Sequence, residues 1–218
     1  MKKGLTEIIC ILDRSGSMAN IIDDSIGGLN EFLDKQRELP GEARVTIVLF
    51  DNDTEILHNN TNIKDIPRIT KDVYYPRGMT ALYDAMCKTI DDVGIRLRKT
   101  KESQRPEKVI VVVITDGQEN ASRYFRDMEM VRERVTHQTE KYSWNFVFLA
   151  ANQDAFSSGT ALGINGANIL NYRNDSTGTY SAYSTITNYV SSARSLGDSS
   201  NLNDLSSYVP DNAEGVWK

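Results

Sequence analysis

A chain of 218 residues, 39% of them hydrophobic, is long enough to bury one substantial core, so a single domain over about 1–196 followed by a polar tail, 197–218, is the simplest organisation. The formal net charge of −5 and a pI near 5.2 argue against a general nucleic-acid binder or a protein held on an anionic membrane. No apolar run approaches the roughly 20 residues needed to cross a bilayer, and Met1-Lys2-Lys3-Gly4 leads into a run too short for a secretory leader, so a cytoplasmic location is expected.

Taken in order, the first apolar run is Ile8 to Leu12, ending in Asp13. Ile22, Ile26, Leu29 and Leu33 recur at helical spacing and stop at Pro40-Gly41. Val45 to Phe50 is a second run, and Thr54 to His58 follows it after only Asp51-Asn52-Asp53, a hairpin-like connection. Leu82, Met86, Ile90, Val93 and Leu97 predict a second helix. The basic stretch between Arg96 and Lys108 then reads as a solvated connection into a third run, Val109 to Ile114. Met128, Val131 and Val135 share one face of a third helix, Asn145 to Leu149 is a fourth run, Asp154 to Leu162 a weak helix, and Ile169 to Tyr172 a last strand. From Asn174 the composition turns to Ser, Thr, Asn, Asp and Tyr; Tyr180, Tyr183, Thr187 and Val190 permit a closing helix over about 178–195, and beyond Gly197 the chain reads as loose.

The four apolar runs are continuous rather than alternating, as in strands buried on both faces of a parallel sheet. Strands alternating with helices then predict an α/β, doubly wound, Rossmann-like sheet with helices on both faces. Cys10 inside a strand and Cys87 inside a helix read as buried free thiols, which fits a reducing compartment.

The chemistry concentrates where the first strand ends. Asp13, Ser15 and Ser17 offer a carboxylate and two hydroxyls at a spacing of two, and a loop curling round one point would converge them into the oxygen shell that a hard divalent cation prefers. Ser, Gly and Asp are also ordinary turn residues, so this stretch alone decides little. Two further stretches join it: Thr80 opens the second helix after Gly78-Met79, and the third run ends in Thr115-Asp116-Gly117. In an open sheet both strand ends deliver their carboxylates to one edge.

Asp13-x-Ser15-x-Ser17, then Thr80, then Asp116-Gly117 resembles the metal-ion-dependent adhesion site (MIDAS) of von Willebrand factor type A domains, and the resemblance covers about residues 5 to 172. It implies a mostly parallel six-stranded sheet with one short antiparallel edge strand, here Thr54 to His58. It also implies Mg2+, with Mn2+ or Ca2+ as substitutes, held by Ser15, Ser17 and Thr80 and, directly or through water, by Asp13 and Asp116. A Glu or Asp of a partner protein would take the open position. Gly78, Gly117 and Glu119 are candidates for the layer behind the ligands, with Asn120 beside them; Asp51, Asn152, Gln153 and Asp154 are candidates for the rim. The absent leader and few cysteines match the bacterial, intracellular members of the family. The expectation is a non-enzymatic interaction module, with no nucleic acid or membrane as partner.

The alternatives are a metal-assisted phosphoester hydrolase and a metal-independent scaffold. A haloacid-dehalogenase-like phosphatase would carry Asp at the second position after Asp13, where this chain has Ser15, and no Gly-x4-Gly-Lys-Ser/Thr phosphate loop occurs. His58 and His137 read as surface residues of an edge strand and of a helix's polar side.

Overall fold

The structure, a computed structural model, describes residues 1–151, 155–196 and 204–217. In chain order the elements are β1 (Lys2–Asp13), α1 (Ile22–Glu38), β2 (Glu42–Phe50), β3 (Thr54–Asn62), α2 (Leu82–Lys99), β4 (Pro106–Thr115), α3 (Met128–Tyr142), β5 (Asn145–Ala151), α4 (Ala155–Ala161), β6 (Ile169–Tyr172), α5 (Ser176–Ser195) and β7 (Val216–Trp217). The sheet order is β3-β2-β1-β4-β5-β6-β7. Strands β2, β1, β4, β5 and β6 run parallel, and β3 and β7 are antiparallel at the two edges.

Side chains of a strand point alternately to its two faces, and here each face is covered. Ile8, Cys10 and Leu12 of β1 join Val45, Ile47 and Leu49 of β2 and Ile110, Val112 and Ile114 of β4 in a core closed by α1 and α5. Ile9 and Ile11 turn the other way, with Val109, Val111, Val113, Phe146 and Phe148, into a core closed by α2, α3 and α4. Two buried faces leave no polar alternation to write into the strands. Cys10 and Cys87 are buried free thiols, one in each core. Among the described residues no helix is long and apolar enough to cross a membrane.

Three features differ from the sequence reading. The antiparallel edge strand β3 is not short: it runs nine residues, interrupted by irregular register near His58. The basic stretch from Arg96 to Lys108, which runs from the end of α2 into β4, is partly structural. Arg96 pairs with Glu7, which is buried in the middle of β1, and Lys108 donates its ammonium to the carbonyls of Ala193 and Leu196 at the end of α5. The tail is not loose over 204–217. Leu205 is fully buried, Tyr208 packs edge-on against Tyr189 at 5.2 Å, and Val216 pairs with Tyr172, adding β7 as a seventh strand. Residues 152–154, named above for the rim, and 197–203 of the tail lie outside the described residues.

Candidate metal centre

The register of the sheet brings the key residues together. Leu12 of β1 lies opposite Ile114 of β4, so the next residues, Asp13 and Thr115, emerge side by side. The Thr115 hydroxyl donates to Asp13 Oδ2 at 2.6 Å, and the Ser15 amide donates to Asp13 Oδ1 at 2.6 Å, which curls the loop back over its own strand end. A short 3-10 turn, Gly16–Asn20, then swings Ser17 round. Its hydroxyl donates to Asp116 Oδ1 at 2.6 Å and lies 3.0 Å from the Ser15 hydroxyl. Asp13, Ser15, Ser17 and Asp116 thus form one hydrogen-bonded cluster, with Ser17 at its solvent side.

Thr80 arrives on a separate loop. Its amide donates to Asn120 Oδ1 at 2.9 Å and its carbonyl accepts from the Asn120 amide at 3.0 Å, a reciprocal clamp. Gly78, in the left-handed region at φ 68°, accepts from the Gly16 amide at 3.1 Å and so ties this loop to the first one. Gly117 packs close to both loops: a Cβ there would lie 2.9 Å from Thr80 Oγ1 and 3.6 Å from Ser17 Oγ. If the cluster holds a divalent cation, Gly117→Ala is expected to push the Thr80 hydroxyl aside and weaken that ion about tenfold or more with little change in melting temperature; unchanged affinity in a calorimetric titration would contradict this placement.

The electrostatics fit a cation. Burial pushes the Asp13 carboxyl up to about 6 against the hydrogen bonds of Thr115 and Ser15, and the neighbouring Asp116 adds to the rise. Burial also raises Asp116, opposed by Ser17 and Asn174. Among the described residues neither carboxylate has an ion-pair partner. Nor does any group of three or more His, Cys, Asp and Glu side chains stand ready to hold a metal. The candidate donor set is instead two carboxylates and three hydroxyls, all oxygen, a set suited to a divalent cation.

Two named candidates do other work. Glu119 does not stand behind the ligands: its carboxylate accepts from the amides of Tyr83, Ala121 and Ser122 and from the Ser122 hydroxyl. Helix α2 has no side-chain cap of its own, so Glu119 and Ser122 satisfy its first free amides from a distant loop. Asp51 is buried rather than on the rim, held by Arg14 Nε at 2.8 Å and Arg77 Nε at 2.6 Å. Burial acts to raise its carboxyl, but Arg77, the Asp53 amide and Arg14 outweigh it and hold it below the usual range.

Residues that the sequence reading passed over support the site from behind. Arg14, between Asp13 and Ser15 in sequence, turns away from them, is 1% exposed, and reaches Glu55 with Nη1 at 2.7 Å as well as Asp51. Tyr74 donates to the Asp13 carbonyl at 2.7 Å and Tyr172 to the Thr115 carbonyl at 3.2 Å, gripping the backbone directly under both strand ends. Asn174 donates to Asp116 Oδ2 at 3.0 Å. An Arg placed directly after a strand-ending Asp was the one local signal; the tyrosines and Asn174 offered none.

No protein-family profile matches the sequence, and a search of curated proteins returns no match. Solved structures do match. The vWF domain of the type V pili tip protein Mfa5 from Porphyromonas gingivalis is similar with a TM-score of 0.62 at 8% identity, covering 88% of this chain and 97% of that one. The fold is that of a von Willebrand factor type A domain. The ArnB paralog VWA2 from Sulfolobus acidocaldarius shares it at a TM-score of 0.51 and 21% identity, covering 84% of this chain. So does proximal thread matrix protein 1 from the mussel byssus, solved with a zinc-occupied MIDAS motif, at 0.60 and 12% identity over 84% of this chain. This chain spans 44% of the Sulfolobus protein and 47% of the mussel protein.

Proposed function

We propose that the protein is a non-catalytic interaction module that binds Mg2+ through Asp13, Ser15, Ser17, Thr80 and Asp116 and captures a Glu or Asp carboxylate of a partner protein. The observation that carries this reading is the hydrogen-bonded cluster in which two buried carboxylates, Asp13 and Asp116, meet Ser15 and Ser17 at the carboxyl end of the parallel strands. Type A neighbours whose names include a pilus tip protein and a byssus matrix protein support an interaction role.

The charge balance explains why a carboxylate would be the ligand. Two carboxylates match the charge of a divalent ion, and the hydroxyls of Ser15, Ser17 and Thr80 add none, so a bound ion would supply an electrophilic centre still attractive to an incoming anion. The chain's own residues do the orienting. Thr115 and the Ser15 amide occupy both Asp13 oxygens, Ser17 and Asn174 occupy both Asp116 oxygens, and the Asn120 clamp presents Thr80.

The test is capture from a lysate of the source organism with tagged wild type and Thr80→Ala, each in Mg2+ or in chelator. A protein retained only by wild type in Mg2+, and released by an excess of free glutamate, is the expected result. Retention in all four conditions would favour a metal-independent scaffold, and Mg2+-dependent turnover of a phosphoester, lost in Asp116→Ala, would favour the hydrolase.

A further inference from the structure

The connection between β6 and α5 touches the metal centre at one point, and that point is held from outside the motif. Asn174 Nδ2 donates to Asp116 Oδ2 at 3.0 Å, while its Oδ1 is buried with no partner among the described residues. With Ser17 on the other oxygen at 2.6 Å, the Asp116 carboxylate is fixed between two neutral donors. A neutral amide suits this place: an Arg or Lys would neutralise Asp116 and compete with a cation, whereas Asn orients the carboxylate and leaves its charge available.

Asn174 has little freedom of its own. The residue before it, Arg173, donates its amide to the Gly215 carbonyl at 2.6 Å, just ahead of β7, and Tyr172 pairs with Val216. The residue after it, Asp175, donates its amide to the Arg173 carbonyl at 2.8 Å and caps α5 by accepting from the Gly178 amide at 2.8 Å. Three segments meet here at backbone distance. A Cβ on Gly178 would run into the Arg173 backbone, and one on Gly215, at φ 77°, would lie 3.0 Å from Gly178 Cα. The returning segment is itself anchored: Leu205 is buried in the α1/α5 core, and the Tyr208 carbonyl accepts from Asn188 of α5 at 3.1 Å.

We infer that Asn174 is a positioning residue of the metal centre, and that the returning segment 204–217 sets the affinity of the centre by holding Asn174 against Asp116. This rests on reading the cluster as a Mg2+ site. The segment lies outside the motif-bearing residues, and the backbone contacts described for it nearest the centre are those with the connection it clasps, Gly215 with Arg173 and Val216 with Tyr172.

The experiment is a calorimetric titration of the whole chain with Mg2+, and separately with Mn2+, for wild type, Asn174→Ala, Gly215→Val and the double variant, beside thermal melts in chelator. Asn174→Ala is expected to weaken both ions by about tenfold to a hundredfold, as loss of an outer partner does, with a melting temperature close to wild type in chelator. Gly215→Val should weaken them in the same direction, and the double variant should match Asn174→Ala within about twofold, because both act through one contact. Should Gly215→Val melt much earlier than wild type in chelator, the chain ended at Pro210 takes its place in the cycle. Wild-type affinity in Asn174→Ala, or losses that multiply in the double variant, would overturn the inference. If wild type binds neither ion, the metal-centre reading itself fails, and this inference with it.

Discussion

Asp13→Asn is expected to abolish Mg2+ binding, by at least about 100-fold, yet to leave the metal-free protein at least as stable as wild type at pH 7. The carboxyl is fully buried and pushed up to about 6. A group whose folded value lies above its unfolded value of about 3.9 contributes stability below that pH and loses it as the pH rises through the folded value. At pH 7 the metal-free fold therefore carries the full cost of this charge, on the order of 3 kcal/mol. Asparagine removes the cost without orphaning its neighbours. Its Oδ1 still accepts from the Ser15 amide, and the Thr115 hydroxyl can turn its proton to the Gly117 carbonyl, 3.1 Å away, to receive the new amide donor. Melts in chelator and a Mg2+ titration decide both halves: retained binding would remove Asp13 from the centre, and a much lower melting temperature would refute the energetic account.

Arg14→Leu carries the second large effect, on the fold rather than on the ion. Arg14 is an ion-pair partner buried beside Asp51, and it also crosses to Glu55 on β3, so it ties the metal loop to the β2–β3 hairpin. Removing one member of a buried pair leaves the other charge desolvated, a loss of about 3 to 5 kcal/mol. Arg77 and the Asp53 amide still serve Asp51, which favours the lower end of that range. For a domain of this size, about 3 kcal/mol lowers the melting temperature by roughly 6 to 12 °C. Arg14→Lys should recover little, because one ammonium cannot span two carboxylates as the planar fork does. A fall of under about 2 °C in Arg14→Leu would show that Arg77 alone satisfies Asp51.

The two variants separate parts of one loop that the sequence shows as five consecutive residues. Asp13, Ser15 and Ser17 were legible there because their spacing of two is itself the geometry: alternate residues of a curled loop face one point. Arg14 points the other way for the same reason. Its partners lie on β2 and β3, and only the pairing of those strands beside β1 reveals that the alternate position is buried.

The sequence by itself determined the layering of the fold and the candidate oxygen residues at the carboxyl ends of its strands. Continuous runs such as Val109 to Ile114 have no polar face, which only a strand covered on both sides tolerates, and the helical spacing of Leu82 to Leu97 supplies one of the covers. Tertiary structure decided what stands behind the ligands. Glu119 reads as a neighbour of Asp116, but the free amides at the start of α2 draw its carboxylate to them. Asn174 reads as a polar residue beyond the last strand, and only the sheet order sets β6 and its connection close enough for it to reach Asp116. The segment after 204 has too few apolar residues to show a period. Its order comes from single anchors, Leu205 in the core, Tyr208 on Tyr189 and Val216 on β6, each a contact between residues far apart in the chain that no local pattern encodes.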